Sequence, residues 1–160
     1  MTQTEKNQLA RTIVEHNQYM SVASSWKANG AWISPVCYAP DKNYNLYFVS
    51  LPGSRHAQNT NRNPRVTVSI FDSHQPWGEG VGLQIEGKIT RVNWPRMPFF
   101  MKLYFSRAWP YVSDKLATYL KGFKKILKNR TYRAYQFTPT CVWMNDPDSE
   151  VDRRIEVSLI

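Results

Sequence analysis

Residues 46–87 constrain the fold more tightly than any other part of the chain. Leu46–Ser50 (LYFVS) is a short apolar strand pattern, and Leu51, Pro52 and Gly53 break it. Ser54, Arg55 and His56 then open a short helix, with Ser54 in the position of an N-cap. Asn63-Pro64 stops that helix, because the residue before a proline is pushed out of the helical region. Arg65–Phe71 (RVTVSIF) is rich in β-branched residues and reads as a second strand; a polar loop at 73–80 and a third strand through Leu83-Gln84-Ile85-Glu86-Gly87 follow. A helix that starts between two strands leaves backbone N–H groups and a positive dipole end at its first turn, and both attract anions. An arginine fork placed there suits a phosphate.

The rest of the chain reads as a small barrel. Residues 5–17 carry Leu9, Ala10, Ile13 and Val14 at helical spacing, which predicts an amphipathic helix. Residues 19–26 and 31–38 read as strands joined by a Lys27-Ala28-Asn29-Gly30 turn, and Pro35 predicts an edge, a bulge or a ligand-facing position. Asp41-Lys42-Asn43 is a second turn. Residues 81–92 form a long strand, and 93–108 a helix or helical turn entered through Trp94-Pro95. Ser113 is a candidate cap for a helix carrying Leu116, Tyr119, Leu120, Phe123 and Leu127. Residues 132–144 form a last strand, interrupted at Pro139, and the apolar end 157–160 is expected to pack on a partner subunit. Six strands with hairpin turns and three or four helices predict a mainly β fold with flanking helices (α+β), in one domain spanning 1–160.

The net charge of +9 admits nucleic acid, an anionic surface or a phosphorylated ligand. The basic residues scatter, however, and the denser run at 121–133 reads as the solvated face of a helix. No apolar run approaches a membrane span, and the N-terminus lacks the basic start and apolar block of a secretory signal. Cys37 and Cys141 lie in apolar strand patterns and are expected to be reduced core thiols of a cytoplasmic protein. His16, His56 and His74 are far apart, with no metal-ligand spacing, so no metal site is expected. The chain has no nucleophile elbow, no Gly-rich phosphate loop and no paired carboxylates, and no catalytic acid or base can be named.

The organising stretch resembles the pyridoxamine 5'-phosphate oxidase-like superfamily of FMN-binding split β-barrels. Those proteins carry a strand, Ser-Arg-Lys at a helix start, then Asn-Pro-Arg and another strand. The matching residues here are Ser54, Arg55 and His56, then Asn63, Pro64 and Arg65; the strand ending in Ile85-Glu86-Gly87 matches as well. The resemblance implies a six-stranded antiparallel split β-barrel of the FMN-binding type. It implies a homodimer with the cofactor at the subunit interface, and a flavin phosphate held by Ser50, Ser54, Arg55 and His56. It also implies that residues 33–38 run along the flavin ring, with Ser34, Pro35 and Val36 beside it and Gln84 near the family's flavin-binding glutamine, which aligns with Gly82. Where the oxidases read Arg-x-Val-Leu-Leu-Lys, this chain has Ser34 and Ala39 in place of the Arg and the Lys, which points away from pyridoxamine 5'-phosphate as substrate. The cofactor expected is FMN, with another flavin, a deazaflavin or haem as alternatives. The function expected is a flavin-dependent oxidoreductase, with non-catalytic flavin or haem binding, through His56 or His74, or nucleic-acid binding by a basic barrel as the other readings.

Overall fold

The computed structural model describes residues 1–27, 30–107, 114–128 and 131–160. A helix α1 (Gln3–His16) leads into strands β1 (Tyr19–Ser25), β2 (Ala31–Pro40) and β3 (Leu46–Ser50), then helix α2 (Arg55–Arg62). Strands β4 (Arg65–Phe71) and β5 (Gly82–Arg91) follow, then a short 3₁₀ turn (Trp94–Arg96) that runs into α3 (Met97–Ser106). Helix α4 (Lys115–Phe123) continues into a π-helical turn (Lys124–Lys128), and strands β6 (Arg133–Asn145) and β7 (Arg154–Glu156) complete the chain. The turn residues Ala28 and Asn29 and the candidate cap Ser113 lie outside the described residues.

Every strand pair is antiparallel, in the order β3-β2-β1-β4-β5-β6-β7, and β3 also pairs with β6. That second pairing closes six strands into a barrel, and β7 adds to the outside of the seam along β6. Alternation does the sorting. On β1, Met20 and Val22 point inward and Tyr19, Ser21 and Ala23 outward; on β4, Val66, Val68 and Ile70 point inward. Phe48, Tyr135, Phe137, Leu83 and Ile85 fill the interior, with Phe48 stacked on Tyr135 at 5.3 Å between ring centroids. A second apolar layer lies outside the barrel, where α3 covers Tyr47 and Ala39 with Phe100, Met101 and Tyr104. Burying one such side chain contributes about 1.5–3 kcal/mol.

Local signals account for the helix ends. Thr2 and Glu5 form a capping box at the start of α1, and Ala10 and Val14 supply its buried stripe. Arg107 ties the other end of α1 to the barrel: it donates to the carbonyls of Glu15 (3.0 Å), Asn17 (2.6 Å) and Tyr38. The Tyr38 hydroxyl in turn donates to the Val14 carbonyl at 2.6 Å. Helix α4 is capped by Asp114, whose carboxylate accepts from the Ala117 amide at 2.9 Å.

Several expectations need correction. Phe123 does not join the buried stripe of the basic helix: it is exposed, whereas Ile126 is buried and Leu127 half-buried against the outer layer. The i→i+5 spacing of the π turn swings Ile126 onto α3's layer, leaving Lys121, Lys124, Lys125 and Lys128 in solvent as expected. The apolar C-terminus packs on its own chain, since Val157 and Leu159 join the barrel's core and the Ser158 amide donates to Asn7 in α1. Cys37 and Cys141 are free thiols but half-buried, not core. Pro35 lies in the half of β2 that bonds only to β1: β3 reaches only Tyr38, Ala39 and Pro40, so the other edge of 31–37 has no strand partner among the described residues. The break at Pro139 is a bulge. Glu86 pairs with Cys141 but Gly87 with Pro139, which leaves Thr140 over.

At that bulge β6 crosses Gly87 so closely that a Cβ there would lie 2.4 Å from the Thr138 carbonyl oxygen and 2.5 Å from the Phe137 ring. Gly87→Ala should therefore destabilise the protein by about 1–3 kcal/mol, read as a lower urea midpoint with an unchanged slope.

Candidate functional site

One end of the barrel is built from the last residues of β1, β3 and β5 and the first residues of β2, β4 and β6. Helix α2 packs across this end against β1 and β2. Its sequence is polar on nearly every position, yet Ala57, Asn59 and Thr60 are buried, because the barrel mouth accepts them. Asn59 has no exposed surface and donates to the Ser24 carbonyl (3.4 Å) and hydroxyl (3.3 Å) on β1.

Four of the expected site residues come together: the tight turn after β3 joins Ser50, Ser54 and His56, and β2 sets Ser34 against them. Ser54 Oγ lies 3.1 Å from Ser50 Oγ and 3.3 Å from His56 Nε2, and His56 Nδ1 lies 3.0 Å from Ser34 Oγ. Ser54 Oγ also donates to the Leu51 carbonyl at 2.8 Å, so towards Ser50 and His56 it accepts. The proton arrangement that satisfies every contact puts hydrogen on His56 Nε2, with Nδ1 accepting from Ser34. Ser54 stands at the N-cap, as expected, but its side chain makes no capping bond; its hydroxyl is turned back onto the preceding turn. The first turn of α2 therefore keeps its N–H dipoles beside the Ser50–Ser54–His56 chain. His56 is buried, and burial pushes its imidazole pKa below the ordinary value.

The remaining expected residues are placed differently. The Arg55 guanidinium lies 4.5 Å above the Trp32 ring, at the start of β2, next to the serine–histidine chain but directed along the mouth's rim. Val36 points into the barrel core. Pro35 and Gln84 lie on the outer face in one lateral row, Pro35–Ser21–Ser69–Gln84–Trp143, three strand spacings or about 14 Å apart. Gln84 Oε1 accepts from Arg154 Nε at 2.7 Å, a contact that β7 brings into reach. The two candidate haem ligands are separated by the length of β4: His56 sits at the α2 end, whereas His74 lies beyond the opposite end, exposed and bonded to Asp72 at 3.0 Å.

Sequence reasoning missed Trp32, Asn59 and Arg133. Arg133 stands directly opposite Ser50 across the β3–β6 pairing. Barrel closure sets Arg133 at the mouth, whereas the β1–β2 hairpin places Trp32 and the packing of α2 on β1 places Asn59. Arg65, Lys88 and Arg91 end their strands at the same side, so part of the chain's positive charge collects there. The ion pairs of Lys6 with Asp146 and Asp148 lie at the far end.

A closed six-stranded antiparallel barrel with flanking helices and a hydroxyl–imidazole chain at a helix start defines a split-barrel protein. A family model described as pyridoxamine 5'-phosphate oxidase matches residues 7–124, and the chain belongs to that family. No curated protein matches it. Among solved structures, a protein of unknown function from Agrobacterium tumefaciens is 17% identical, with 91% of this chain and 58% of its own covered and a TM-score of 0.70. A haem binding protein from Mycobacterium smegmatis is 12% identical, covering 99% of this chain and 58% of its own, with a TM-score of 0.72. A FAD-binding protein from Mesorhizobium loti is 15% identical over 86% and 91% of the two chains, with a TM-score of 0.64. This chain spans 58% of the length of the Agrobacterium and Mycobacterium proteins, and at these identities the likeness is one of fold. Among the described residues no helix is long and apolar enough to cross a membrane.

Because burial holds His56 neutral in the folded protein, its contribution to stability is fully present above the ordinary histidine range. It should be lost as pH falls through the depressed folded value. His56 should titrate by NMR below the ordinary histidine value, and His56→Gln should flatten the acid limb of the stability curve.

Proposed function

We propose that this chain binds FMN, with the phosphate at Ser50, Ser54, Arg55 and His56 on the first turn of α2, and serves as a flavin-dependent oxidoreductase. The observation that carries the reading is the Ser34–His56–Ser54–Ser50 chain lying against a helix start with Arg55 one residue into the helix. The donor set fits a dianion. Ser50 can turn its proton outward, the helix start offers N–H groups, and Arg55 can swing from Trp32 to fork onto two oxygens. A phosphate would also favour protonated His56, offsetting the effect of burial. The unpaired edge of residues 31–37 offers backbone N–H and C=O groups to the polar edge of a ring, with Pro35 lacking the donor. A bound flavin supplies hydride or electron transfer; the chain's own residues anchor the phosphate, hold the ring and keep His56 neutral until an anion arrives.

The same reading includes a homodimer with the flavin between subunits. Tyr19, Ile33 and Phe71 stand exposed on the outer face of β1, β2 and β4, with the small residues Ser21, Ala23, Thr67 and Ser69 around them. A second copy would cover this flat apolar face. Pyridoxamine 5'-phosphate is not the substrate in this reading. Where the oxidases carry Arg and Lys, Ser34 is bonded to His56 and Ala39 is buried under α3, so neither position brings a charge. Haem is the second reading, favoured by the fold shared with the Mycobacterium protein. It requires His56 to give up a hydrogen bond to Ser34 or Ser54 in order to ligate iron. A flavin absorption spectrum, a Soret band, or colourless protein with salt-steep DNA binding separates flavin, haem and the basic nucleic-acid reading.

Arg55→Ala should weaken FMN about ten- to hundred-fold, since a charge-assisted bond contributes about 1.5–3 kcal/mol. Arg55→Lys should recover part of the loss, and riboflavin, which lacks the phosphate, should be nearly indifferent in parallel titrations. Equal losses for the two ligands would place the phosphate elsewhere. Sedimentation at micromolar concentration should give a dimer, and Ile33→Asp, which puts a charge in the apolar face, should shift it to monomer; a wild-type monomer would refute the shared site.

A further inference from the structure

Basic residues occur along the whole chain, but acidic ones do not: from Gly87 to Asn145 the one carboxylate is Asp114. Residues 93–132, the helical excursion that leaves the barrel after β5 and returns at β6, hold nine Lys and Arg, a net +8 of the chain's +9. Asp114 is engaged as the cap of α4. Lys121, Lys124, Lys125 and Lys128 are exposed, and among the described residues none of the four forms an ion pair.

Large apolar side chains are exposed on the same excursion. One side of α4 is used against α3: the Phe105 ring lies directly on Gly122, Tyr119 meets that ring edge-on at 5.8 Å, and Ile126 is buried. At 100° per residue Leu120 points away from that side and Phe123 lies on its flank; they are 57% and 45% exposed. Leu127 follows Phe123 one turn on and lines a groove with Met97 and Trp94, which is 70% exposed. An apolar strip thus runs from Leu120 to Trp94, and Lys121, Lys124 and Lys128 flank it on the solvent side of the helix. Leu120 and Leu127 have no ring for a nucleic-acid base to stack on, and the lysines bring no guanidinium fork to a phosphodiester. A bilayer with anionic headgroups suits both parts. It offers phosphates to the ammonium groups and an acyl boundary to the strip, and lysine stems reach sideways from one to the other.

We propose that the outer face of α4 and its π-helical turn docks on the surface of an anionic phospholipid bilayer, with Leu120, Phe123 and Trp94 at the headgroup–acyl boundary and Lys121, Lys124 and Lys128 among the phosphates. None of these side chains belongs to the phosphate cradle on α2, so the proposal does not rest on the flavin reading.

The experiment mixes the full chain with unilamellar vesicles of phosphatidylcholine, alone or with about a third phosphatidylglycerol, and reads bound protein by co-sedimentation. Binding to the anionic vesicles should be at least about tenfold tighter than to phosphatidylcholine alone, and should weaken as salt rises. Replacing Lys121, Lys124 and Lys128 together with Gln should weaken it at least about tenfold. Replacing Lys27, Arg62 and Lys88 with Gln removes the same charge elsewhere on the surface and should weaken it less than about threefold. Leu120→Ser combined with Phe123→Ser should cost at least about tenfold while the salt dependence stays. Every substituted side chain is exposed, so none of these variants opens the core. The proposal is overturned if the chain shows no preference for anionic vesicles, or if the two charge-removing variants lose affinity equally. It is also overturned if the Leu120 and Phe123 variant binds like the wild type. Binding of a single-stranded oligonucleotide that is lost with the three lysines, in a chain that ignores vesicles, would assign the face to nucleic acid instead. Failure of FMN to bind would count against the flavin reading alone, since the vesicle titration is run without it.

Discussion

The pairing of β3 with β6 is the contact on which the rest of this structure depends. It joins Leu46 to Phe137 and Ser50 to Arg133 across most of the chain's length, and it converts an open meander into a barrel. Closing so long a loop costs conformational entropy that grows only slowly with length. The seam is stabilised by what it buries: Phe48 stacks on Tyr135 within the barrel, while Tyr47 meets α3's aromatic layer on the outside. Closure also removes edges that an open six-stranded sheet would carry, while among the described residues the first half of β2 and the outer side of β7 remain without a strand partner.

The closed end needs a plug, and the chain uses a polar helix for it. Burying His56, Asn59 and Thr60 would be costly if their side chains lost their hydrogen bonds. Each is bonded: His56 to Ser34 and Ser54, Asn59 to Ser24, Thr60 to the Ala57 carbonyl. No buried side-chain polar atom among the described residues lacks a partner. The arrangement is therefore specific rather than merely tolerated. Its hydroxyls and imidazole are held by side-chain bonds that can be exchanged without rearranging the backbone.

Electrostatics follow from the same topology. Strand ends gather Arg65, Lys88, Arg91 and Arg133 at the α2 mouth, while the acidic residues Asp146 and Asp148 lie at the other end, paired with Lys6 and the N-terminus. The net charge of +9 thus has a direction. An anion approaching the barrel is drawn to the end that carries the hydroxyl–imidazole chain.

The sequence by itself determined most of the elements and the local hydroxyl–imidazole cluster. Period-two alternation set the strand faces, Pro52-Gly53 and Asn63-Pro64 bounded α2, and the adjacency of Ser50, Ser54 and His56 placed them within one turn of each other, so their meeting was legible before any packing was known. Tertiary structure decided what depends on register between distant segments. It set Ser34 against His56, Arg133 opposite Ser50, and Pro35 and Gln84 in one row three strands apart. It also folded the apolar C-terminus onto its own core through β7, and it turned Ile126 rather than Phe123 inward through a π turn that no periodicity signals. The division has one cause. Helix and turn contacts span a few residues and are fixed by local sterics, whereas cross-strand neighbours are fixed only when the barrel closes, because a slip of one residue in any pairing would move every side chain to the opposite face.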